Sequence, residues 1–226
     1  AKFFYEEDQK ISIDRYAVSF YKVSSHDQIS SMAEKMARVS ALAQDLGQKL
    51  GFTDEELADL KRASEIYKFD LTTQMVGEFA ELQGIMGEIY ANLAGEKPAV
   101  AQAIREHYLP ISADGELPTS KLGALLAIAD KLDSIYSFFA VNLIPSGSND
   151  PYALRRQAAG IMRILLDQGW HLPILAFQNQ AAKAMANQEL SFDYAKNTDQ
   201  VRTFFLDRIK QLLSDKALRH DVIDAA

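Results

Sequence analysis

The sequence predicts an all-α fold, and three observations carry that expectation. Apolar residues recur at helical spacing almost from end to end, glycines and prolines interrupt the recurrence at helix-length intervals, and only a short run at 16–23 alternates as a strand would.

Taken in order, residues 29–50 put Met32, Met36, Val39, Leu42, Ala43 and Leu46 on one face, and Gly51 ends the run. Thr53 then caps the next helix, with Glu56 three residues on completing a capping box, and that helix runs to about residue 69. A further helical run spans about 72–93 and contains Gly84 and Gly87. Each glycine inside a helix costs about 1 kcal/mol relative to alanine. Two things offset that cost: a close helix crossing, where the missing side chain admits another backbone, or a contact with a ligand or RNA. Glu78, Glu81 and Gln83 fall mostly on other faces and read as solvated surface. Additional helices are expected at 98–108, 119–143, 150–168, 173–188 and 197–214.

The helix at 150–168 has a marked entrance. Pro145, Ser146, Gly147, Ser148 and Asn149 form a turn-dense loop, Asp150 is a good N-cap and Pro151 a good first helical residue. Leu154, Ala158, Ile161 and Leu165 line one stripe of that helix, while Arg156 and Arg163 project together beside it and Arg155 lies next to them. Guanidiniums so placed grip phosphate oxygens, or pair with Asp150, Asp167 or a neighbouring acid; both readings stand.

Composition bounds the function. With 226 residues, 48% hydrophobic, the chain buries one substantial core or one and the start of another. The absence of cysteine excludes disulfides and thiol chemistry and fits a cytoplasmic protein. No apolar run approaches the roughly 20 residues of a membrane span. A net charge of −7 argues against unspecific attraction to nucleic acid, so any RNA contact needs a local patch. No phosphate loop or serine triad is present. His26, His171 and His220 are scattered and suit surface or cap roles, His107 near a helix end suits a structural one, and Trp170 with His171 and Pro173 reads as a turn anchor. Three segments are expected: a linker from an upstream domain at 1–24, a helical domain at 25–186, and a hinge with the beginning of another helical region at 187–226.

Two resemblances follow from particular residues. The segments EKMARVSALAQ, ASEIYKFD and LAIADKLDSIY resemble the frame of the HD domain, a superfamily of metal-dependent phosphohydrolases. In that frame Lys35 stands where a histidine ligand falls, Tyr67 and Lys68 replace His-Asp, Asp130 is kept, and His107 matches a histidine of several branches. An ammonium cannot ligate a cation, so a degenerate HD-like bundle is expected to hold no metal and hydrolyse no phosphate, unless a pair such as Asp70 with Asp130 substitutes. The expected alternative is that Lys68 fills the ion's volume and pairs with Asp130.

The longer resemblance runs through KFDLTTQMVGEFAELQGIMGEIYA, GEKPAVAQAIREHYLP, LGALLAIADKLDSIYSFF and PSGSNDPYALRRQAAGIMRIL, and it is to the β subunit of the bacterial two-subunit glycine–tRNA ligases. Two departures are Ala80, where the family commonly has proline, and Glu88, where it has a basic residue. The tail from Phe204 resembles the start of that family's anticodon-binding helical region. The resemblance implies partners, tRNA(Gly) and an α subunit that joins glycine to ATP with magnesium, and no cofactor or catalytic residue in this segment. It implies tRNA positioning, with Arg155, Arg156 and Arg163 as first candidates for phosphate contacts and Lys131 and Arg105 as further ones. The alternatives are an HD-type phosphohydrolase of nucleotides with metal at Asp130 and His107, and a purely architectural module.

Overall fold

Helices dominate the computed structural model, which describes residues 1–26, 29–173 and 194–215. Their order is α1 (Lys2–Asp8), α2 (Ile13–Ser19), α3 (Met32–Lys49), α4 (Asp54–Ile66), α5 (Gln74–Glu78), α6 (Ile85–Leu93), α7 (Pro98–Glu106), α8 (Lys121–Ala140), α9 (Leu154–Gln168) and α10 (Tyr194–Asp215). A small antiparallel pair, β1 (Ser24–His26) with β2 (Ser30–Ser31), precedes α3. The chain is all-α, as its periodicity dictates. It divides into two compact units, Ala1–Asp130 and Lys131–Ala226, and the division falls inside α8. The helix expected at 173–188, the 186/187 boundary, His220 and the tail beyond 215 lie wholly or mostly outside the described residues.

In the first unit α3 packs on α4, α4 on α7 and α6 on α7. The starts of α3 and α4 are fixed locally. Thr53 and Glu56 cap α4 reciprocally, as the sequence indicated, and Ser31 and Glu34 do the same for α3, whose run was expected from residue 29. Val39, Leu46, Leu60, Ile104, Leu125 and Ile128 lie fully buried between these helices. Residues 1–24 contain two helices. Asp8, 2% exposed, accepts from the backbone N–H of Gln74 (2.8 Å) and Met75 (2.9 Å) at the start of α5, and from the Tyr16 and Tyr90 hydroxyls. The strand expected at 16–23 is instead α2 followed by a 3₁₀ turn, Phe20–Lys22. Ile13, Tyr16 and Phe20 are buried at three- and four-residue spacing, so the helical period won over β-propensity.

The single helix expected at 72–93 is broken into α5, a 3₁₀ turn Ala80–Leu82 and α6. The break has a local cause. Gly84 has φ +79° and donates its N–H to Asp70 Oδ2 at 2.6 Å, a geometry no helix interior permits. A Cβ on Gly84 would meet Tyr108 Cδ2 at 2.7 Å, and one on Gly87 would meet Ile104 Cγ2 at 2.7 Å, so Gly87 serves the close crossing of α6 over α7.

In the second unit α9 packs on α10, and Phe139 meets Phe204 with ring centroids 5.0 Å apart. The helix expected from residue 151 begins at Leu154, because Ala153 takes a left-handed conformation, φ 53°. Asp150 still caps it from upstream, accepting from the N–H of Leu154 (2.8 Å) and Arg155 (3.0 Å). Gly169, φ 63°, closes the other end, with Trp170 N–H donating to Leu165 O and Gly169 N–H to Leu166 O, a Schellman arrangement.

Candidate functional site

Five side chains singled out in the sequence come together inside the first unit. α3 carries Lys35, the end of α4 delivers Tyr67 and Lys68, the end of α7 delivers His107, and α8 supplies Asp130. Asp130 is the hub. Lys35 Nζ stands 3.3 Å from its Oδ1, the Tyr67 hydroxyl donates to the same oxygen at 2.8 Å, and Lys68 Nζ lies 3.7 Å from Oδ2. Lys68 Nζ is also 3.0 Å from His107 Nε2. His107 Nδ1 faces the carbonyl of Ile104, which only accepts, so the ring donates there and its Nε2 accepts from the ammonium.

Aromatic faces complete the enclosure of Lys68. Its Nζ sits 4.6 Å from the Tyr108 ring centroid and 4.9 Å from that of Tyr67. Lys35 and Lys68 are each 7% exposed, and His107 and Tyr67 are fully buried. Burial alone would raise the Asp130 carboxyl, but the Lys35 and Lys68 ammoniums and the Tyr67 hydrogen bond outweigh it and hold the group far below the ordinary carboxylate range. Burial lowers Lys68, a tendency that Asp130 and Asp70 oppose. Asp70 goes the other way. Its burial raises it despite the N–H groups of Gly84 and Gly87, and its Oδ1 has no hydrogen-bond partner.

This constellation is built to stay put. Two ammoniums and a phenol around one carboxylate, with an imidazole accepting from one of the ammoniums, form a charge-paired knot joining α3, α4, α7 and α8. Among the described residues no group of three or more His, Asp or Glu side chains stands so as to hold a metal ion. Tyr108 and the Asp70–Gly84 contact were not singled out as parts of this knot from the sequence; the signal for Tyr108 was its adjacency to His107, whose ring centroid lies 3.7 Å away.

The basic candidates distribute unevenly. Arg155, Arg156 and Arg163 share α9, with Arg156 exposed and the other two half-buried. Arg105 is exposed on α7 and its Nη1 pairs with Glu88 Oε2 at 3.3 Å. Lys131 is 5% exposed, because its turn of α8 faces inward, and that removes it from the surface a phosphate reaches. Charge divides in the same sense. Residues 1–130 hold 13 Lys and Arg against 21 Asp and Glu, whereas residues 131–226 hold 11 against 10. No helix among the described residues is long and apolar enough to cross a membrane.

The family model for the glycyl-tRNA synthetase beta subunit matches residues 1–226. The glycine–tRNA ligase beta subunit of Limosilactobacillus reuteri is 68% identical over 228 residues, covering 100% of this chain and 33% of that protein. The corresponding subunits of Limosilactobacillus fermentum and Lactiplantibacillus plantarum are 67% and 55% identical, covering 100% and 99% of the chain and again 33% of each relative. The chain thus spans about a third of the length of these relatives. With the family model matched along its whole length, the chain belongs to the glycyl-tRNA synthetase beta subunit family.

Proposed function

We propose that this segment of the β subunit positions tRNA(Gly) for an enzyme whose α subunit attaches glycine with ATP and magnesium, and that it performs no chemistry alone. The observation that carries the reading is the arginine set of α9: Arg155, Arg156 and Arg163 stand on one helix in the half of the chain whose charges nearly balance, while residues 1–130 are strongly acidic. A phosphate backbone is repelled by the second and tolerated by the first, so guanidiniums there supply local attraction without unspecific binding. The knot around Asp130 supports the non-catalytic part, since the carboxylate that an HD frame would offer a divalent ion is paired instead with two ammoniums. Binding energy gathered on tRNA away from the reacting atoms then orients its acceptor end.

The test is aminoacylation by the reconstituted two-subunit enzyme carrying Arg155→Glu and Arg156→Glu in the full β chain. Transfer to tRNA is expected to fall at least tenfold with glycyl-adenylate formation unchanged, and the salt dependence of tRNA binding is expected to become shallower as phosphate contacts are lost. Wild-type transfer and affinity in this variant would leave the segment an architectural module.

A further inference from the structure

Between α9 and α10 the described residues leave an open groove of about 580 Å³, within the span of about 300–1,000 Å³ typical of small-ligand sites. Its floor is apolar: Met162 and Leu165 come from α9 and Phe205 from α10, all nearly buried. Trp170 also lines it. The Schellman closure of α9 at Gly169 sets the Trp170 backbone against Leu165 and so fixes where the indole leaves the helix. At the rim stand Leu206, 45% exposed, and the exposed Arg202, one turn apart on α10.

A largely apolar groove lined by an indole and an exposed guanidinium matches one chemistry well. A nucleobase buries its faces against the aromatic and aliphatic walls while its phosphate meets the arginine. The wall helix continues the same theme. On α9, Arg155 lies two turns before Met162 on the same strip, with Arg156 and Arg163 alongside, so guanidiniums lead along that helix to the slot. A protein helix would fill an apolar groove too, but the exposed Arg202 in its lining and the arginines carried by α9 favour an anionic occupant.

We propose that this groove receives one unpaired nucleotide of the bound tRNA, its base stacked at Trp170 and its phosphate held by Arg202. The proposal rests on the tRNA-positioning reading above and names the contact that reading lacks.

The experiment measures the affinity of the reconstituted two-subunit enzyme for a tRNA(Gly) transcript, with chemical probing of its unpaired bases. Trp170→Ala and Arg202→Ala are each expected to weaken binding about tenfold and to expose one base that the wild-type enzyme protects, with Trp170→Phe retaining most of the affinity. Leu206 allows a control that folding cannot mimic. Being exposed, it accepts either charge, and Leu206→Glu is expected to weaken binding by a similar factor whereas Leu206→Lys keeps or improves it. Wild-type affinity and protection in the Trp170, Arg202 and Leu206 variants, alongside loss in the Arg155→Glu, Arg156→Glu enzyme, would overturn the groove assignment and leave tRNA positioning intact. If that double variant also binds as wild type, both fall. Loss of α–β association in size-exclusion chromatography, with tRNA affinity per assembled enzyme unchanged, would make the groove a protein-docking site and overturn the proposal.

Discussion

Asp130 and Asp70 lie in one buried neighbourhood, yet burial drives Asp70 upward while two ammoniums drive Asp130 down. Partners, more than depth, set the difference. Lys68 is the hinge of this arrangement, since its ammonium meets Asp130, His107 and two tyrosine rings. Lys68→Ala removes one donor to His107 Nε2 and one of the ammoniums around Asp130, and a loss of about 3 kcal/mol in chemical denaturation is expected. The pH dependence follows from the sign of the Asp130 shift. A carboxyl whose folded value lies below its unfolded one, about 4, contributes stability that is present above that pH and lost as pH falls toward the folded value. The difference in melting temperature between wild type and Asp130→Asn is therefore expected to shrink as pH drops from 5 to 3. Equal differences throughout would mean that the charge of Asp130 does not stabilise the fold. Lys35, Tyr67, Lys68, His107 and Asp130 were nameable in the sequence only through a motif frame. Their convergence needed four helices brought together, and nothing in local spacing encodes that.

At the scale of elements, helix starts were the most legible feature and helix interruptions the least. The reciprocal cap at Thr53–Glu56 is short-range chemistry, read from four residues, whereas the same device at Ser31–Glu34 is masked by an apolar rhythm that extends back to residue 29. Gly84 is different. Its positive φ is stabilised by Asp70, fourteen residues away, and is crowded by Tyr108, so the break between α5 and α6 depends on a tertiary partner. Gly84→Ala is expected to cost about 2 kcal/mol, through both the left-handed backbone and the clash with Tyr108. In contrast, Gly77→Ala in α5, where an added Cβ meets nothing within 4 Å, should gain a few tenths up to about 1 kcal/mol from helix propensity. Thermal unfolding of the two variants side by side separates a structural glycine from an incidental one. The same lesson holds at α9. Asp150 was recognisable as a cap, but the left-handed Ala153 that delays the helix to Leu154 was not.

For the molecule as a whole, the amino-acid sequence by itself determined the all-α class, the family, and the starts of α4 and α7, because periodicity and capping are set by residues within a turn or two of each other. It also carried the charge imbalance between residues 1–130 and 131–226, which needs only counting. Only the tertiary structure decided that Lys131 is buried while Arg156 is exposed, that α9 and α10 frame a groove lined by Trp170, and that two lysines share Asp130. Those outcomes depend on which helix faces meet, and a face becomes interior or surface only when a partner distant in sequence arrives to cover it.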